Sequence, residues 1–151
     1  MNLLTALILG AISGLIGAFA MNFFMRAVSS QFSQQVDMLV ALGSYFTGKI
    51  DNAAKVGTLL HGASGLIFGM LYLAIMQIMG ATFFPYAIFL GMGFGLFHGL
   101  LMSYLLMFYA SEKHPIETYR KATMATGLLH LVGHVIFGAV TGLIGALAVR
   151  P

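Results

Sequence analysis

Four stretches of this chain are long, apolar and uncharged, and they dictate the solvent it folds in. They run from about Leu3 to Met25, Val56 to Met79, Phe84 to Tyr109 and Thr126 to Val149, and none contains Asp, Glu, Lys or Arg. A membrane-spanning helix needs roughly 20 mostly apolar residues. A helix also satisfies its own backbone amides where no water is present. The pattern therefore predicts an all-α integral membrane four-helix bundle, a single membrane domain over residues 1–151. Composition agrees: 60% of residues are hydrophobic, 7% are charged and the mean hydropathy is +0.96. An ordinary soluble domain carries about 25% charged residues, so a water-soluble enzyme is excluded, and so is a disordered tail. The chain has no Cys, which removes disulfides, thiolate metal sites, iron–sulfur clusters and a Cys nucleophile. Its formal charge of +3 forms no basic stripe, so nucleic acid is not a partner.

The charged residues orient the bundle. Arg26, Lys49 and Lys55 lie between spans one and two, and Lys113, Arg120 and Lys121 lie between spans three and four. The opposite side has only Arg150 and a tiny turn near Gly80. Basic loops face the cytoplasm, which predicts both termini outside. All four acids, Asp37, Asp51, Glu112 and Glu117, fall in the same two loops. In the first loop, Val28, Phe32, Val36, Leu39 and Phe46 recur at helical spacing, with Ser and Gln filling the other face near its start. This predicts an amphipathic helix over about Ser29–Phe46, stopped by Gly48. It lies in the membrane interface or packs on the base of the bundle or a partner. Its polar face lacks Lys and Arg, which favours packing.

The chain reads as two tandem helical hairpins of the same orientation. Leu59-Leu60-His61 precedes Ile67-Phe68-Gly69 at the spacing with which Leu128-Leu129-His130 precedes Ile136-Phe137-Gly138. Leu9-Gly10, Gly14-Leu15 and Met21 likewise parallel Leu90-Gly91, Gly95-Leu96 and Met102. Helical spacing puts Gly10, Gly14, Gly17 and Met21 on one face, and Gly91, Gly95, His98 and Met102 on the matching one. In span two the row is His61, Ser64, Gly65, Gly69 and Tyr72; in span four it is His130, His134, Gly138, Thr141, Gly142 and Gly145. Small residues at these intervals let helices approach closely in lipid. Missing side chains could equally leave room for a flat cofactor. Asn22 and Ser103, matched by the repeat, are expected to bond between helices. The eleven Met are expected mainly to fill gaps.

Four of the five His lie within the spans, where polar side chains are costly and turn inward. A rise of 1.5 Å per residue places His61 and His130 roughly 6–8 Å below the membrane boundary, and His98 and His134 roughly 13–16 Å below it. Three uses compete. The imidazoles could be structural hydrogen bonders. They could be axial ligands of haem b, with His61 and His130 as the first pair on diagonal helices and His98 and His134 as the other candidates. Or they could hold copper or zinc, using His130 and His134 one turn apart with His98 and Met102. His114, in Glu112-Lys113-His114-Pro115, is expected to be solvated, and Pro115 to open a short helix.

No Ser/His/Asp set, phosphate loop or intramembrane acid–base pair is present. The pattern Asp37, Leu42-Gly43, His61, Gly65, Gly69 and Tyr72, within the first half of the chain, resembles a group of small four-span bacterial membrane proteins of unknown function. The resemblance implies the fold and a prokaryotic membrane and carries no chemistry. The expected function is a non-catalytic subunit of a larger membrane complex, respiratory or otherwise electron-transferring, with the lipid bilayer and other membrane subunits, or itself, as partners. A haem-b electron carrier is the alternative, and a metal or small-solute transporter the further one.

Overall fold

The computed structural model describes residues 1–30 and 37–148. Among the described residues the chain is helical throughout, with no strand. Helix α1 spans Leu3–Ser29, α2 Met38–Thr47, α3 Ala53–Ile78 and α4 Tyr86–Leu105. A π-helical turn (Leu106–Ala110) and a last turn (Ser111–Lys113) extend α4. A 3-10 turn follows at Glu117–Tyr119, and α5 spans Met124–Ala148. Helices α1, α3, α5 and the extended α4 are long and apolar enough to cross a membrane.

Local chemistry sets the ends. The Asn2 side chain accepts the Thr5 N–H at 2.8 Å and starts α1. The Asp37 carboxylate accepts from Leu39 and Val40 N–H and starts α2. Gly48, at φ 71°, ends it in the left-handed region that suits glycine. The short helix therefore begins later than the amphipathic pattern predicts. Ser29 belongs to α1, and residues 31–36 of the pattern lie outside the described residues. Helix α2 sits on the start of α3. A Cβ on Gly43 would overlap the Ala53 carbonyl, and one on Gly57 the Leu39 carbonyl.

Packing is inverted relative to a soluble domain. The interior is built of small residues: Ala6, Ser13 and Ala87 are fully buried, together with the glycine rows. Large side chains such as Phe19, Phe23, Leu59, Ile78, Phe89 and Phe97 point outward, each more than half exposed. Burying one such side chain is worth about 1.5–3 kcal/mol. A belt of them facing out marks lipid as the surrounding medium.

Two seams close tightly. In α1–α3, Gly10 and Gly69 each abut the other's carbonyl, and Gly14 meets Gly65. In α4–α5, Gly91 and Gly138 do the same, and Gly95 meets the His134 backbone. Helices α1 and α5 also pack, joined by Gly17 against Phe137 and Thr141. The order around the bundle is thus α3, α1, α5, α4. Helices α3 and α4 follow each other in sequence yet scarcely touch, and α3 and α5 meet across the diagonal.

Candidate functional site

The gap between α3 and α4 is a cavity of about 530 Å³. It runs from the middle of the bundle to the end carrying the two long loops. Its walls are almost wholly apolar, and all four intramembrane His line it: His61 from α3, His98 from α4, His130 and His134 from α5. Met21 and Met102 line it too. At the loop end α2 contributes Met38, Leu42 and Tyr45, and the second loop contributes His114, Tyr119 and Lys121. The π-helical turn of α4 forms part of the wall through Leu106 and Tyr109. Such turns interrupt regular helices mostly at functional sites. The backbones of α3 and α4 scarcely approach each other, so side chains alone span this side of the cavity.

His98 is the one side chain bridging this gap by both a ring stack and a hydrogen bond among the described residues. Its ring stacks on Phe68 of α3 at 3.9 Å, and its Nδ1 lies 3.1 Å from the Tyr72 hydroxyl. On the other side it meets His134 edge-on, at 4.5 Å between ring centroids. Tyr72 is buried and also contacts the rings of Phe94 and Phe137. The deep end of the cavity is therefore an aromatic box with imidazoles in its wall. Tyr72 stood in the inward row of span two; that it pairs with His98 depends on the order of helices, which spacing does not encode.

The remaining hydrogen bonds set the tautomers. His130 Nδ1 lies 3.0 Å from the Thr126 carbonyl, His134 Nδ1 2.8 Å from the His130 carbonyl, and His61 Nε2 3.2 Å from the Ala18 carbonyl. A carbonyl only accepts, so each of these ring nitrogens donates its hydrogen. A neutral imidazole has one N–H, which leaves a lone pair on its other nitrogen. A cationic ring within the spans would need an acidic partner, and no Asp or Glu is there. The free acceptors are His61 Nδ1, His130 Nε2 and His134 Nε2. No buried side-chain nitrogen or oxygen lacks a partner among the described residues, so these three open on the cavity.

The arrangement bears on the cofactor readings. His130 and His134 hold Nδ1–H on a backbone carbonyl and leave Nε2 free, the usual orientation of a ligating His. His61 is turned the other way, with its crowded Nδ1 free, which disfavours it as the haem partner of His130. Among the described residues no three His, Asp or Glu gather closely enough to hold a metal ion. The copper or zinc set of His130, His134, His98 and Met102 shares the cavity, but only His98 and His134 are in ring contact.

His114 departs from expectation. It is buried at 5% exposure, not solvated. Its Nε2 donates to the Ala41 carbonyl of α2 at 3.0 Å, and its Nδ1 accepts the Ile116 N–H at 3.0 Å. Tyr45 and Tyr119 flank the ring. Pro115 does not open a regular helix. His114 is extended, as a residue before proline is pushed to be. Only the short 3-10 turn follows, ended by Arg120, whose Nε donates back to the His114 carbonyl at 2.8 Å. His114 thus clasps the second loop to α2 over the mouth of the cavity. A single His among charged neighbours gave no sign of this in the sequence. Burial first and the Asp37 carboxylate second push the nearby Tyr119 phenol above its ordinary value. Ser103 does bond between helices, donating to the Gly127 carbonyl at 2.8 Å. No such bond is seen for Asn22.

Comparisons with protein-family models, curated proteins and solved structures return no significant match to this chain.

Proposed function

We propose that this chain is a small non-catalytic membrane subunit whose contribution to a larger assembly, of the electron-transfer kind, is to hold a lipophilic ligand between α3 and α4. The observation that carries the reading is the cavity itself: apolar walls where α3 and α4 part, and four imidazoles lining it at two levels. Ligand sites are mostly apolar clefts with a few placed polar groups, commonly between bundle helices. The absence of acids from the spans, and so of any acid–base pair or Ser/His/Asp set there, supports a holding role. The resemblance points to a prokaryotic membrane, here the inner one, and the basic residues put both termini outside and the clasped loops in the cytoplasm. The equivalent positions of the Gly10–Gly69 and Gly91–Gly138 contacts support an origin by hairpin duplication.

Haem b is the second reading. It is favoured by the Nε2 atoms of His130 and His134, which are oriented by their carbonyl bonds and face the cavity. One preparation tests both. The protein is extracted in a mild detergent, run on a native gel, and then purified for a reduced-minus-oxidised visible spectrum and an organic extract. The first reading expects co-migration with partner subunits and an enriched lipophile. It also expects Ser64→Phe, an exposed position on the cavity wall, to empty the cavity without unfolding the chain. A chain that runs alone and carries nothing beyond bulk lipid overturns it. A reducible Soret band lost with His130→Leu makes haem the ligand.

A further inference from the structure

The hydrogen-bonding sense of the cavity restricts what it can hold. Three neutral imidazoles present lone pairs to it, and each is fixed in that sense by a carbonyl on its other nitrogen. The only other polar pair at this depth, Tyr72 with His98, shares one hydrogen bond and keeps a single donor hydrogen, on the Tyr72 oxygen or on His98 Nε2, so acceptors still outnumber donors on this wall. A buried acceptor left without a donor costs about 1–3 kcal/mol, so this wall asks for hydrogen-bond donors. A metal ion, the Lewis acid that imidazole lone pairs commonly bind, lacks a gathered ligand set among the described residues. The lone pairs then suit the hydrogen-bond donors of an organic molecule that reaches the site through lipid and places a flat ring beside Phe68 and Phe137.

Resting on the lipophilic-ligand reading, we infer that the cavity selects a hydroquinone, the reduced and doubly hydroxylated form of a membrane-soluble quinone, over its oxidised form. The two hydroxyls of a hydroquinone donate to imidazole lone pairs. The oxidised ring offers only carbonyl acceptors: one can take the hydrogen left on the Tyr72–His98 pair, and the other is set against an imidazole lone pair. Its tail would leave along the apolar seam between α3 and α4. No bond is made or broken in this step, since the site holds the reduced form without oxidising it.

The test uses the full chain in lipid nanodiscs and a decyl-substituted benzoquinone, oxidised or chemically reduced under anaerobic conditions. Ligand retained by immobilised discs is measured chromatographically against empty discs. The expected result is about tenfold tighter retention of the reduced form, the size of one well-made hydrogen bond to a buried acceptor. His130→Leu and His134→Leu each keep an apolar side chain of similar bulk, and both should bring the reduced-to-oxidised ratio toward one. Gly93→Ala, away from the cavity wall, should leave the ratio unchanged. Equal retention of the two forms, or preference for the oxidised one, overturns the hydroquinone inference while the lipophilic-ligand reading survives. Retention of neither form above empty discs, with wild-type chain shown folded by its thermal transition, overturns both.

Discussion

The α1–α3 and α4–α5 seams begin alike and then diverge. Near the end that carries both chain termini, each is closed by a pair of glycines, Gly10 with Gly69 and Gly91 with Gly138. One turn further on, α1–α3 stays small, with Gly14 against Gly65. The other seam keeps glycine on α4 only. On α5 His134 stands at the position matching Gly65, and on α4 His98 stands at the position matching Gly17. Backbones still meet, because Gly95 abuts the His134 carbonyl, but the imidazoles project sideways into the space that α3 and α4 leave open. One seam is closed by glycines and carries a single imidazole, His61, bonded back to the Ala18 carbonyl. The other has the same closure and carries the polar wall of the cavity along its edge. The same contrast returns at the loops, where α2 rests on α3 through Gly43 and Gly57 and the second loop reaches α2 through His114.

The sharpest way to break this comparison is to fill the glycines. A Cβ at Gly14 would overlap the Gly65 carbonyl, and one at Gly95 the His134 carbonyl, and backbone cannot step aside as a side chain can. Gly14→Ala and Gly95→Ala should each lose about 3 kcal/mol of unfolding free energy in detergent. Gly93, with nothing near its missing Cβ, is the control, and Gly93→Ala should match or slightly exceed wild type. If Gly95→Ala were as silent as Gly93→Ala, the two seams would not share a closure.

The positions of the four spans were legible to within a few residues, because hydropathy and length are one-dimensional properties. So were the inward rows, since 3.6-residue spacing decides which side chains share a face. The ring of neighbours is the simple up-down order that puts spans two and four on a diagonal, but how unevenly its four sides close was not legible. Chain neighbours α3 and α4 would be expected to pack, and their separation depends on α1 and α5 packing together instead. For the same reason His61 and His130 looked like a matched pair, while the contact that forms is His98 with His134, Phe68 and Tyr72. His114 could not be read because its partner, the Ala41 carbonyl, is a backbone atom far away in sequence.

The clasp gives the next largest effect. His114→Ala removes two hydrogen bonds and leaves the Ala41 carbonyl and the Ile116 N–H without their partner, a loss of about 2 kcal/mol. Thermal unfolding of the variant in nanodiscs measures it. A result indistinguishable from wild type would mean that glycine packing alone holds α2. The clasp also has an alkaline limit. Tyr119 keeps its phenol proton more tightly in the folded chain than in the unfolded one. Its contribution is complete below the ordinary tyrosine value of about 10 and is lost as pH rises through and above it. Tyr119→Phe should flatten that decline in an unfolding series across alkaline pH; an unchanged decline would place its origin elsewhere.

The smallest expected effect separates the seams most finely. Asn22 and Ser103 stand at matching positions near the loop ends of α1 and α4. Ser103 is buried and donates to the Gly127 carbonyl, tying α4 to the start of α5. Hydrogen bonds between helices in membranes average about 0.6 kcal/mol, because the separated helices find other partners. Ser103→Ala should therefore cost about 0.6 kcal/mol, and Asn22→Ala should cost less, since Asn22 has no bond across α1–α3 to lose. A double-mutant comparison with Gly95→Ala sets the scale. If the glycine overlap has already parted α4 from α5, Ser103→Ala adds nothing on top of it, and the hydrogen bond belongs to the same closure. If the two losses add in full, the bond forms independently of the glycine contact, and the α4–α5 seam is held at two separate points, as α1–α3 is by its glycines and by the His61 bond to the Ala18 carbonyl.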